Sequence, residues 1–227
     1  MRFYKFFISI FLIFTVCFYI TTPVFSEETT YVWSPNNNSL NDSTNDNSSQ
    51  IKETNSEVNE SNSLSLESGS AILIEQTTGQ VLYSHNAHEQ LRPASVTKVM
   101  SILLIMEALD SNKISLTDSV PCSENAASMG GSQIWLDPRE TLTVDEMLKA
   151  ICVNSANDCV VAMSEFIAGS EEAFVQLMND KAKELGMNDT CFKNCHGLDE
   201  DGHVTSSNDI ALMSRELMVN HPSITNY

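Results

Sequence analysis

Between Val99 and Leu109 the chain is apolar nearly all the way round a helix, with Ser101 and Glu107 as the interruptions. A surface helix needs one apolar stripe, whereas a helix apolar on every side has to be enclosed by other elements. This stretch therefore predicts a globular core built around a central helix. Pro93 stands just ahead of it, a helix-start signal. The elements needed to wrap it are legible downstream. Thr143 and Glu146 form a capping box for a helix running to about Val153. After the turn Asn154-Ser155-Ala156-Asn157, a second helix runs to Ala168 and stops at Gly169. Ser170 caps a third that ends at Gly186, and Ser206 with Asp209 caps a fourth that stops near Asn220 and Pro222. Upstream, Ala71 to Ile74 and Gln80 to Tyr83 predict two strands joined through Thr77-Thr78-Gly79 as a hairpin. The stretch from Asn112 to Glu140 is expected to be irregular, with Gly130-Gly131 and Pro138 as punctuation. A two-stranded hairpin is marginal alone, so sheet partners beyond those visible in this sequence are expected.

The N-terminus has a different logic. Arg2 and Lys5 precede an apolar run from Phe6 to Ile20, shorter than the roughly 20 residues of a membrane span. Pro23 follows, and Val24 and Ser26 occupy the −3 and −1 positions of a cleavage site before Glu27. Residues 1–26 thus predict a secretory signal peptide, the alternative being an uncleaved membrane anchor. From about Ser34 to Ser68 the sequence is Asn, Ser, Glu and Thr with almost no large apolar residues. Such a segment buries too little surface to order itself, so residues 27–68 are expected to be a disordered linker. The globular domain is then residues 69–227, and it works outside the cytosol.

The formal net charge of −18 argues against nucleic acid as a partner, because little is left to neutralise phosphates. Beyond the signal segment lie five cysteines, Cys122, Cys152, Cys159, Cys191 and Cys195. An odd number fits either one free thiol or no bridges at all. Cys191, Cys195 and His196 lack a second ligand pair at zinc spacing, so no metal site is expected.

Ser95-Val96-Thr97-Lys98 carries the chemistry. A serine hydroxyl is a poor nucleophile until a base takes its proton. Three residues is about one helical turn, so Lys98 lies on the face of Ser95. Burial disfavours a charged lysine and makes it available as that base. The same tetrad occurs at Ser49-Gln50-Ile51-Lys52, inside the expected linker. The first stands apart because it opens a core helix, a rigid mount for a nucleophile. The second element is Ser155-Ala156-Asn157, in a short turn between two helices. A Ser/Asn pair there suits proton relay to a leaving amine and a grip on a substrate amide. The plainer alternative is a turn using Asn and Ser for local hydrogen bonds.

Ser-x-x-Lys followed by Ser-x-Asn belongs to the signature of β-lactamases and penicillin-binding proteins. Arg92 to Met100 resembles the nucleophile segment of the low-molecular-mass D-alanyl-D-alanine carboxypeptidases. Glu75 to Leu82, Gly130-Gly131-Ser132, Asn154 to Asp158, Phe192 to Leu198 and His203 to Ala211 are similar to that family too. The resemblance implies an α/β fold of the serine β-lactamase/transpeptidase type, a mostly antiparallel sheet flanked by helices. It implies Ser95 as nucleophile, Lys98 as base, Ser155 as proton relay and Asn157 as substrate-binding residue. It implies a peptidoglycan stem peptide ending in D-Ala-D-Ala as substrate, acylation of Ser95 by β-lactam antibiotics, and neither metal nor organic cofactor. His196 and His203 match positions taken as structural.

The family's third motif, Lys-Thr-Gly, does not occur, and no Lys-Thr pair exists anywhere in the chain. In the family it lies on a later strand and contributes to the carboxylate site and oxyanion hole. The chain is therefore expected to stop ahead of the C-terminal strands and of the family's C-terminal membrane-associating segment. The competing expectation is a catalytically incomplete fragment or a non-catalytic cell-wall or penicillin-binding remnant. A class A β-lactamase is disfavoured because Ala156 replaces the aspartate of Ser-Asp-Asn, and Glu184 falls at a helix end rather than in a loop.

Overall fold

The run after Lys98 folds as helix α1, Lys98–Asp110, and eight of its side chains from Met100 to Ala108, Ser101 included, are buried. The computed structural model describes residue 64 and residues 66–227. The expected signal peptide, the tetrad at Ser49 and nearly all of the expected linker lie outside the described residues.

Helix α1 is enclosed as its composition requires. It packs against α4 (Asn157–Ala168), α5 (Glu171–Glu184) and α6 (Ser207–Asn220). Phe174, Met178 and Phe192, with Met213 from α6, fill the space around it without solvent exposure to speak of. Ahead of α4 in the chain and packed against it comes α3, Val144–Asn154, whose N-terminus carries the expected capping box: the Glu146 N–H donates to Thr143 Oγ1 at 3.2 Å and the Thr143 N–H to Glu146 Oε2 at 2.8 Å. Two orphan N–H groups are thereby satisfied at once. Gly169 closes α4 in the left-handed conformation, φ 87°, as its sequence position predicts. Ser170 and Ser206 cap α5 and α6 by accepting from the N–H groups of Ala173 and Asp209.

Strands β1 (Ala71–Ile74) and β2 (Val81–His85) form the antiparallel hairpin, with a register irregularity between Leu73 and Ile74. Its turn is held by the Glu75 carboxylate, which accepts from the N–H groups of Thr77 and Thr78 and from Thr78 Oγ1. Those donors pull the Glu75 carboxyl down to about 2. Arg215 of α6 ties the hairpin to the helices by donating to the carbonyls of Gln76 and Thr77.

The stretch from Asn112 to Glu140 is more ordered than expected. It contains strand β3 (Ser119–Pro121) and a single helical turn, α2 (Glu124–Ala127). β3 pairs antiparallel with β4 (Thr141–Thr143), which leads into α3. Three-residue strands are too short to show a period of two, so composition gave no signal for them. This ladder is separate from the hairpin: β1 and β2 pair with each other alone among the described residues. No helix among those residues is long and apolar enough to cross a membrane.

Candidate active site

Pro93 and Ala94 do more than start a helix. Ala94 adopts φ +46°, and residues Ala94–Thr97 form a tight 3-10 turn that runs directly into α1 at Lys98. Ser95 therefore sits on a 3-10 turn rather than on the first turn of the α-helix. In a 3-10 helix residues i and i+3 eclipse, so Lys98 is stacked over Ser95. Lys98 Nζ lies 3.3 Å from Ser95 Oγ. The two environments differ: Ser95 is exposed, whereas Lys98 is 3% exposed. Burial pushes the Lys98 amine down from the ordinary 10.5 to about 8, with the nearby Cys195 thiol opposing weakly.

The segment His196-Gly197-Leu198 closes over this turn. The His196 carbonyl accepts from Lys98 Nζ at 2.7 Å and fixes the amine. Gly197, at φ +93°, lies so close to Ala94 that a Cβ there would stand 1.9 Å from the Ala94 carbonyl oxygen. Thr97 is held from the same side. The Lys193 N–H donates to His203 Nδ1, so the neutral ring carries its proton on Nε2 and donates to Thr97 Oγ1 at 2.7 Å. Burial pushes the pKa of both His196 and His203 down, favouring the neutral ring.

The turn between α3 and α4 acts as a clamp on the loop Gly130 to Leu136. Ser155 takes the left-handed conformation, φ 55° and ψ 37°, and reverses the chain. On one side of it Asn154 Nδ2 donates to the Gln133 carbonyl at 3.0 Å. On the other, the Asn157 N–H donates to the Ser132 carbonyl and Asn157 Nδ2 to the Gly130 carbonyl, both at 2.7 Å. Asp158 is fully buried and accepts from the N–H groups of Ile134, Leu136 and Cys159. Between two of these donors Trp135 is 79% exposed at φ +65°. Asn157 Oδ1 is buried and finds no partner among the described residues. The Gly130 carbonyl fixes the orientation of that amide, so the orphan atom is an acceptor. A buried acceptor left unpaired costs about 1–3 kcal/mol.

Of the four residues singled out by sequence, the structure brings Ser95 and Lys98 within hydrogen-bond reach. Ser155 and Asn157 make no hydrogen bond to either of them among the described residues. They stand on the second clamp, whose loop meets the first through Gly131, close to Asn157 Nδ2 and Leu198. Sequence reasoning passed over the His196 carbonyl, the Gly197 contact and the Asp158 carboxylate. For the last, the signal was an aspartate directly after Ser-x-Asn at the start of an apolar helix.

Comparison with known proteins places this geometry among characterised folds. A model of the D-alanyl-D-alanine carboxypeptidase family matches residues 54–227. The chain is 58% identical over 164 residues to D-alanyl-D-alanine carboxypeptidase DacF of Bacillus subtilis (strain 168), covering 72% of this chain and 42% of that protein. The crystal structure of DacD from Francisella tularensis superposes with a TM-score of 0.70 at 32% identity, over 71% of this chain and 39% of that one. Penicillin-binding protein D2 from Listeria monocytogenes, in its ampicillin-bound form, superposes with a TM-score of 0.63 at 29% identity, over 71% of this chain and 66% of that one. The fold is that of the penicillin-binding proteins, as the resemblance implied, and the chain spans less than half the length of the curated relative.

Proposed function

Because the chain belongs to the D-alanyl-D-alanine carboxypeptidase family, we propose that it carries the acylating machinery of a serine D-Ala-D-Ala carboxypeptidase. The observation that carries this reading is the pairing of an exposed hydroxyl with a buried amine, Ser95 Oγ and Lys98 Nζ, 3.3 Å apart. The substrate is a peptidoglycan stem peptide ending in D-Ala-D-Ala, outside the cytoplasmic membrane. Ser95 Oγ attacks the carbonyl of the penultimate D-alanine while Lys98 takes the hydroxyl proton. The C–N bond breaks, Ser155 passes a proton to the departing D-alanine amine, and an ester remains on Ser95. Water then cleaves that ester, releasing the shortened stem and restoring the hydroxyl. Asn157 orients the substrate amide, from the turn that Ser155 opens beside α4. A β-lactam follows the same first step: its ring amide opens, and the acyl group stays on Ser95. The ampicillin-bound Listeria relative supports this pairing of fold and ligand.

The test is covalent labelling of the purified chain with a fluorescent penicillin, beside Ser95→Ala, followed by assay of D-alanine release from a pentapeptide. Label that disappears in Ser95→Ala supports the reading. A folded sample that takes no label, or that labels equally without Ser95, sinks it for this chain and favours the incomplete-fragment alternative.

A pH dependence follows from the amine. The base acts when neutral, and a group titrating at about 8 is neutral in roughly one molecule in ten at pH 7 and nine in ten at pH 9. Acylation is expected to rise about tenfold across that interval and then level off. A flat profile between pH 7 and 9 would remove Lys98 from the role of base.

A further inference from the structure

Behind Lys98 stands a carboxylate that the proposed reaction does not use. Glu171 is the first residue of α5, and its side chain is 18% exposed. Its Oε1 accepts from the Cys195 N–H at 3.2 Å and the Cys195 thiol at 3.3 Å, and lies 3.4 Å from His196 Nε2. The tautomer of His196 is set by its neighbour: the Leu198 N–H donates to Nδ1 at 3.1 Å, so the neutral ring carries its proton on Nε2, facing Glu171. The carbonyls of the same two residues face the other way, onto α1. The Cys195 carbonyl accepts from Ser101 Oγ at 2.6 Å, and the His196 carbonyl accepts from Lys98 Nζ at 2.7 Å. Residues 98 and 101 are about one helical turn apart. One carboxylate thus anchors a dipeptide whose two carbonyls grip consecutive turns of the nucleophile helix.

We propose that Glu171 is a positioning residue for Lys98, acting through the Cys195-His196 backbone that it holds. This rests on Lys98 being the base of the proposed acylation. Glu171 itself touches no reacting atom. Its hydrogen bonds keep the His196 carbonyl on the amine and keep the segment closed over it, the burial that makes Lys98 a base. The charged and titratable groups facing this segment are Glu171 from α5, Lys98 from α1, Cys195 and Glu200 from the segment's own loop, and His203 beyond it. Gln at position 171 would retain an acceptor for the Cys195 N–H and the His196 ring while removing the charge. Ala would remove both.

The experiment is a carbon NMR titration of the Lys98 side chain in lysine-labelled protein, its resonance assigned by its loss in Lys98→Met. Wild type, Glu171→Gln and the neighbouring control Glu172→Ala are expected to titrate Lys98 together. Glu171→Ala is expected to move it upward by roughly half a pH unit or more, because the released segment lets water reach the amine. The rate of fluorescent-penicillin labelling is expected to fall roughly tenfold in Glu171→Ala, with its rising pH limb moving by the same shift, and to be largely retained in Glu171→Gln. An unchanged Lys98 titration in Glu171→Ala overturns the proposal, and so does a Glu171→Gln that behaves like Ala. Should Glu171→Ala show no cooperative thermal transition, Glu171→Asp carries the comparison, since it withdraws the carboxylate by one methylene. Again, an upward shift is expected and none overturns. A wild type that titrates as expected but takes no penicillin refutes the proposed function while the titration still decides the role of Glu171.

Discussion

Replacing Lys98 with methionine is expected to abolish acylation while leaving a folded protein. The two halves of that result have separate causes. Lys98 is the general base of the proposed reaction; removing such a base costs about 100- to 10,000-fold in rate, and no other side chain among the described residues lies within hydrogen-bond distance of Ser95 Oγ to replace it. Stability is governed by the desolvation of the amine. Holding Lys98 at about 8 instead of 10.5 corresponds to about 3 kcal/mol by which the fold disfavours the protonated form. Methionine relieves that penalty but leaves the buried His196 carbonyl without its donor, at about 1–3 kcal/mol. The opposing terms are of similar size, so the variant's stability at pH 7 is expected to lie within about 2 kcal/mol of wild type. The pH dependence has a definite sign. Below pH 8 both folded and unfolded chains carry the proton on Lys98, and the penalty is fully present. Between about 8 and 10.5 the unfolded chain binds the proton that the folded one has released, so the stability of the wild type rises with pH. Wild type should therefore gain on Lys98→Met through that window and at no lower pH. Urea melts at several pH values, read beside penicillin labelling, check both halves. A variant that acylates normally, or a wild type that loses ground to methionine as pH rises, would contradict the placement of this amine.

What the sequence disclosed and what it hid follow a physical division. The capping box at Thr143 and Glu146 and the stop at Gly169 were legible because each is a local device, complete within four residues. Ser95 and Lys98 were legible for the same reason, since one turn of chain decides their proximity. The 3-10 form of that turn was not, because it depends on Ala94 at φ +46° beneath Gly197, a contact made across a hundred residues of chain. His196 was taken as structural from its side chain, but the group that meets Lys98 is its carbonyl, and every residue has one. Asp158 escaped notice because a buried carboxylate satisfied by backbone N–H groups has no partner side chain to betray it. The β3–β4 ladder was missed because strands of three residues carry too few positions to show a pattern. Long-range backbone contacts thus set the precision of the site, while local sequence sets its ingredients.

That division makes Gly197→Ala the sharpest structural test of the site. The position combines two demands that glycine alone meets. Its φ of +93° is strained for any residue with a Cβ, and an added Cβ would lie 1.9 Å from the Ala94 oxygen, 2.4 Å from its carbon and 3.0 Å from the Ser95 nitrogen. All three are backbone atoms of the turn that carries Ser95, so no side chain can rotate away. Either the turn carrying Ser95 or the segment carrying the His196 carbonyl must shift by more than about 1 Å to restore a normal contact. A misplacement of that size costs on the order of 100-fold in rate. The backbone strain and the forced repacking together are expected to destabilise the fold by about 3 kcal/mol or more. Gly169→Ala isolates the first component, since Gly169 has φ +87° but nothing within 4 Å of its added Cβ. It closes α4 away from any crowding, and its substitution is expected to cost about 1–2 kcal/mol with labelling intact. Paired urea melts and penicillin-labelling rates on the two variants read the difference. A Gly197→Ala protein that matches Gly169→Ala in both would mean that the His196 to Leu198 segment does not rest on the nucleophile turn. The expected excess, in stability and in rate together, would show that the backbone of residues 196–198 holds Ser95 and Lys98 in register.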